Sequence, residues 1–102
     1  MKPLAVRFTT KAALDFQVAA AWWRTNRLAA PQLFEQEVAA SLELLASAPS
    51  AGAASSDARL ADVRRCYLRA TRYWLYYRVR DGASSLDVLR IWHASRGQAP
   101  GL

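Results

Sequence analysis

Tyr73-Trp74-Leu75-Tyr76-Tyr77-Arg78-Val79-Arg80, then Asp81-Gly82, then Leu86-Asp87-Val88-Leu89-Arg90-Ile91-Trp92-His93: these residues decide the fold of the chain. Both runs are rich in aromatic and β-branched residues, and Arg64-Arg65-Cys66-Tyr67-Leu68-Arg69 before them has the same character. Three such runs separated by short polar breaks predict an antiparallel meander. Asp81-Gly82 supplies the positive φ of a hairpin turn, and Ala83-Ser84-Ser85 lengthens the loop. In the middle run Tyr73, Leu75, Tyr77 and Val79 share one face, and Trp74, Tyr76, Arg78 and Arg80 the other. The first set is expected against a helical layer and the second on an open side. The last run is apolar on both faces, Leu89 and Ile91 on one and Leu86, Val88 and Trp92 on the other, which predicts a central or covered strand.

Working outward, Leu4 to Phe8 alternates and predicts a first strand. Thr9 and Thr10 can cap a helix from about 11 to 27, with Leu14, Val18, Ala21, Trp22 and Thr25 as its apolar stripe and Phe16, Ala20 and Trp23 beside it. Adjacent Trp22 and Trp23 cannot point the same way. One is expected on the sheet and the other against the next helix or a partner. Pro31 is suited to open a second helix, whose seam is Phe34, Val38, Ser41, Leu42 and Leu45. The short connection predicts an antiparallel helical hairpin. Ser50 to Asp57 reads as a loop and Gly97 to Leu102 as a loose tail. The expectation is one α+β domain over residues 1–102, in the order β-α-α-β-β-β. A small antiparallel sheet would carry an N-terminal helical hairpin on one face, with the first strand at an edge or beside the last.

The formal charge is +6, and it is unevenly placed. Residues 1–58 balance to zero, whereas residues 59–102 carry nine arginines against Asp62, Asp81 and Asp87. An arginine-rich sheet implies an anionic partner, a nucleic acid or an acidic protein segment. One His and one Cys exclude a transition-metal site and an internal disulfide, so no metal and no cofactor are expected. Cys66 reads as a small buried residue. There is no apolar run of membrane-spanning length and no signal peptide, and a cytoplasmic protein without membrane contact is the expectation.

Tyr76-Tyr77-Arg78-Val79-Arg80-Asp81-Gly82, followed by Leu86 to Arg96, resembles the "YRV" and "I-x-I-L-R-V-L-H-x-x-R" ending of the RelE/ParE toxin superfamily of bacterial type II toxin–antitoxin systems. Trp22-Trp23-Arg24-Thr25-Asn26-Arg27, leading through Phe34 to Pro49-x-x-Gly52, is similar to the helical hairpin of the ParE, or plasmid-stabilisation, branch. The resemblance covers residues 4 to 96. Trp92 departs from it, standing where the family has a small aliphatic residue.

The resemblance implies a toxin held in a hetero-oligomer by a cognate, ParD-like antitoxin, a DNA-binding dimer with an acidic C-terminal segment. ParE-type members poison DNA gyrase by binding it, and RelE-type members cleave mRNA on the ribosome. Cleavage without a metal requires a base, an acid and cations for the phosphate. His93 with Arg90 and Arg96, and Arg65, Arg69 and Tyr76 nearby, are the candidate parts. The strand before the hairpin carries no lysine, which favours the gyrase reading. Arg90, Trp92, His93 and Arg96 are therefore assigned to toxicity as target contacts, with His93 catalytic only in a nuclease. Arg64, Arg65, Arg69, Arg78 and Arg80 are assigned to the antitoxin on charge alone.

Overall fold

Thr9 converts the first strand into the first helix. Its hydroxyl oxygen accepts the Ala12 N–H at 3.1 Å, the bond expected of an N-cap. The same hydroxyl donates to the Leu89 carbonyl at 3.1 Å, tying the junction to a strand 80 residues away. The computed structural model describes residues 2–57, 59–80 and 82–102. Their order is β1 (Ala5–Phe8), α1 (Thr10–Asn26), α2 (Leu33–Ser47), a 3-10 turn (Pro49–Ala51), β2 (Ala53–Ala54), β3 (Arg64–Leu68), β4 (Tyr73–Arg80) and β5 (Ser85–His93). The α+β class and the helical hairpin after the first strand are as the sequence predicts. Asp81 of the predicted turn lies outside the described residues, and Gly82 has φ +63°.

The sheet runs β1-β5-β4-β3-β2. The meander β3-β4-β5 is antiparallel, but β1 lies parallel to β5, with Ala5 opposite Ser85 and Phe8 opposite Val88. The sheet is therefore mixed, not wholly antiparallel, because the helical hairpin returns β1 to the edge in the direction of β5. Part of the predicted loop after Pro49 is also a strand. Ala53 and Ala54 pair with Arg65 and Arg64.

The helices cover one face. Phe34, Val38, Leu42 and Leu45 of α2 are buried at the predicted spacing. The rotation of α1 differs from the expectation. Leu14, Val18 and Trp22 are 60%, 62% and 45% exposed, while Ala12, Ala19, Ala20 and Trp23 are buried. Alanines let α1 approach the sheet closely, and Asp15 fixes the rotation by binding β5. Leu14, Val18 and Trp22 are left on the opposite, solvent side. Of the two tryptophans, Trp23 goes in and Trp22 stays out, their rings T-shaped at 5.9 Å.

The predicted faces of β4 hold: Tyr73, Leu75 and Tyr77 pack with the helices, and Trp74 and Tyr76 belong to a second cluster on the other side. The alternation of β5 does not hold. Tyr76 pairs with Arg90 and Tyr77 with Val88, so Leu89 is an extra residue. This β-bulge puts Ile91 on the side of Leu86 and Val88, and Leu89 on the side of Trp92.

The second cluster is Val63, Tyr76 and Leu89, with Leu60, Trp74, Trp92 and Leu102 packed on it. The tail is thus not loose. Pro100 is buried, Trp92 Nε1 donates to the Gln98 carbonyl at 2.9 Å, and Arg90 Nη1 donates to the Gly101 carbonyl at 2.9 Å.

Two devices fix the loops. Tyr77 is fully buried, donates its hydroxyl to the Pro49 carbonyl at 2.6 Å and accepts the Gly52 N–H at 3.0 Å. Burial pushes this phenol above its ordinary pKa. A Cβ on Gly52 would lie 2.8 Å from Tyr77 Cε1, so the Pro49-x-x-Gly52 motif is the seat of the Tyr77 hydroxyl. On the other side, Glu37 of α2 accepts the N–H groups of Ala70 at 2.8 Å and Thr71 at 2.9 Å, and the Thr71 hydroxyl at 2.6 Å. It thereby anchors the β3–β4 turn to the helical layer.

Candidate functional site

The end of β5 gathers most of the residues assigned to toxicity. The Trp92 ring has two guanidinium groups against it, Arg90 at 4.9 Å and Arg96 at 4.0 Å from its centre. Such contacts hold planar cations on an aromatic face. His93, the next residue on the strand, stacks edge-on against Tyr73 at 4.8 Å. His93 and Arg96 line two hollows. One is a pocket of about 180 Å³ on the open side, with Arg65, Trp74, Tyr76 and Trp92. The other is a groove of about 660 Å³ on the helical side, with Trp22, Trp23, Arg27, Arg72 and Tyr73.

The four residues are not equivalent. Arg90 is a fastening. Its Nε and Nη2 bind the Asp15 carboxylate at 2.7 and 3.0 Å, and the side chain is 16% exposed. Little of its charge reaches a partner. Arg96 is exposed and makes no ion pair with the described residues. His93 Nδ1 lies 2.6 Å from the Ser95 hydroxyl and accepts the Ser95 N–H at 3.1 Å. A backbone N–H can only donate, so the neutral imidazole carries its proton on Nε2. Ser95, which sequence reasoning passed over, sets that tautomer.

The five arginines assigned to an antitoxin do not form one surface. Arg65 stacks on Trp74 at 4.1 Å. By the alternation of β4, Arg78 and Arg80 share that open side. Arg78 stands opposite Asp87, and its Nε is buried with no acceptor among the described residues. Arg64 faces the other way, in register with Tyr77, and donates to the Gly52 carbonyl at 2.7 Å. Arg69 is exposed in the β3–β4 turn.

Sequence reasoning also passed over Arg27 and Arg72. The break Arg69-Ala70-Thr71-Arg72 joins two antiparallel strands without a glycine. Some residue there must adopt a positive φ, and Arg72 does so at +67°. That demand was the available signal.

Cys66 is half-buried, and burial raises its thiol pKa, so it is not an activated nucleophile. Among the described residues no group of His, Cys, Asp and Glu could hold a metal ion. No helix among them is long and apolar enough to cross a membrane.

Solved toxin–antitoxin structures share this architecture. A chain of the chromosomal ParDE system from P. aeruginosa superposes with TM-score 0.65 at 20% identity, covering 88% of this chain and 95% of that one. The RelBE2 toxin–antitoxin complex of Mycobacterium tuberculosis gives TM-score 0.63 at 25% identity, covering 90% and 99%. The isolated E. coli RelE toxin gives 0.58 at 21%, covering 93% and 88%. No match is found among curated proteins. Residues 6–97 match the family described as "ParE toxin of type II toxin-antitoxin system, parDE". That match spans nearly the whole described fold, from the second residue of β1 through both helices and the other four strands, and the chain belongs to the ParE toxin family of type II toxin–antitoxin systems.

Proposed function

We propose that this toxin acts in the cytoplasm by binding and inhibiting DNA gyrase, with no chemistry of its own, and that a ParD-like antitoxin neutralises it. The observation that carries this reading is the state of His93. Its Nδ1 is occupied by Ser95, leaving a single N–H donor at Nε2. No carboxylate or lysine lines either hollow that His93 borders. A metal-free ribonuclease needs a proton acceptor and a proton donor flanking the scissile phosphate. A recognition surface needs only rigid aromatic and arginine anchors, which Trp92 and Arg96 supply.

The second reading is a ribosome-dependent endoribonuclease. The clustering of Arg65, Tyr76, His93 and Arg96 about the open-side pocket favours it. Plasmid supercoiling by gyrase, with the purified chain and with or without its antitoxin, tests the first reading. Loss of supercoiling or accumulation of linear plasmid, relieved by antitoxin, is the expected result. Unimpaired gyrase together with cleaved mRNA on ribosomes would replace it by the second.

The antitoxin is proposed to lay its acidic C-terminal segment along Arg65, Arg78 and Arg80, reaching Arg69 at the turn. Reversing Arg78 and Arg80 to Glu is expected to weaken antitoxin binding at least tenfold. Unchanged affinity would remove those residues from the interface.

A further inference from the structure

The helical-side groove holds donors without acceptors. Arg27, Arg72 and Arg96 line it, no carboxylate does, and none of the three forms an ion pair among the described residues. Trp23 lines it too. Its ring is 9% exposed, and its buried Nε1 finds no acceptor among the described residues. His93 adds an imidazole whose free edge is a donor. Flat surfaces stand beside the cations: Trp22 is 45% exposed, and the Arg27 guanidinium lies 5.0 Å from its ring centre.

Arg72 stands in a turn whose backbone is fixed on both sides. It is held at φ +67°, with its N–H donating to the Leu68 carbonyl at 2.7 Å and its carbonyl accepting the Ala94 N–H at 2.8 Å. Glycine or asparagine is the ordinary choice for such a conformation. The turn itself demands that angle, and the two backbone bonds fix the residue that carries this guanidinium into the lining of the groove.

We propose that this groove binds single-stranded nucleic acid, one or two nucleotides at a time. Phosphates lie against Arg72 and Arg96, and a base lies on the Trp22–Arg27 face. Planar guanidinium forks interleaved with aromatic rings are the combination that holds phosphates and bases together. The volume of about 660 Å³ suits a ligand of that size. The proposal goes beyond the toxin reading and does not depend on whether gyrase or the ribosome is the target.

The test is titration of the purified chain with fluorescein-labelled octathymidylate and octauridylate at several salt concentrations. Arg72→Gly, Trp22→Leu and the exposed-loop control Arg59→Ala are compared with the parent. Arg72→Gly removes the guanidinium while relieving the backbone, so its melting temperature stays equal or rises. It is expected to weaken binding at least fivefold and to lower the salt slope by about one. Trp22→Leu is expected to weaken binding about fivefold and to reduce the quenching of tryptophan fluorescence by the strand. Arg59→Ala stays within twofold. The proposal is overturned by absence of binding, by Arg72→Gly binding as the parent does, or by Arg59→Ala losing as much as Arg72→Gly. Displacement of the strand by inorganic phosphate at equal concentration overturns it in favour of a simple anion site. Tighter binding of an oligoglutamate peptide overturns it in favour of a peptide site.

Discussion

Asp15 grips Arg90 with both carboxylate oxygens, and with one of them it also accepts the Ile91 N–H at 3.0 Å. The strand pairing of β1 ends at Phe8, and Asp15 takes over as the partner of β5 beyond that point. One side chain therefore continues the sheet edge, sets the rotation of α1 and neutralises the arginine that lies against Trp92.

Asp15→Ala leaves the Arg90 charge and the Ile91 N–H without partners in a part-buried place. The expected loss of stability is about 2–4 kcal/mol, read from urea unfolding. Arg90→Ala should lose toxicity together with folded protein, and a double-mutant cycle with Asp15 should show strong coupling. A purely target-contacting Arg90 would show none.

Gly52 and Tyr77 answer each other. Gly52→Ala drives a methyl group into the Tyr77 ring and is expected to cost about 2–3 kcal/mol. Tyr77→Phe leaves the Pro49 carbonyl and the Gly52 N–H unpaired, at about 1–3 kcal/mol.

The same phenol gives a pH dependence. Its pKa is raised on folding, chiefly by burial, so folding favours the protonated form. The associated stability is fully present below the ordinary tyrosine pKa of about 10 and is lost as pH rises through the higher folded value. Melting temperature against pH should fall at the alkaline end, and Tyr77→Phe should flatten that limb.

The rotation of α1 is testable by contrast. Leu14→Gln and Val18→Gln, on the solvent side, should change stability by no more than about 0.5 kcal/mol. Ala20→Leu, on the side packed close to the sheet, should cost about 1–3 kcal/mol by overpacking. Circular-dichroism melts that gave the reverse order would place the helix as its sequence pattern predicts.

The meander, the helical hairpin and the inward face of β4 were legible because aromatic and β-branched residues alternate there without interruption. The α1 stripe misled because alanine carries little weight in a hydrophobic pattern, yet it is what permits close packing. The faces of β5 were misassigned because a one-residue bulge leaves no mark on composition. The parallel placement of β1 depends on where a distant hairpin returns the chain, which no local pattern records. At the candidate site, the strand pattern placed Trp92 and His93 at the end of β5, and the assignment of Arg90, Trp92, His93 and Arg96 to a target rested on the family resemblance. Ser95 and Arg72 were missed because their roles lie in a tautomer and a backbone angle.

The pairing of β1 with β5 also governs when this protein can exist. Ala5–Phe8 meets Ser85–Val88, so the closing contact spans most of the polypeptide and carries a large loop-closure entropy. A nascent chain halted before Ser85 has no partner for its first strand, no backbone for Thr9 and Asp15 to hold, and no β5 on which to build the Trp92 surface. Partial translation products carry no half-formed site, and during synthesis whatever activity the fold supports switches on only once β5 has left the ribosome.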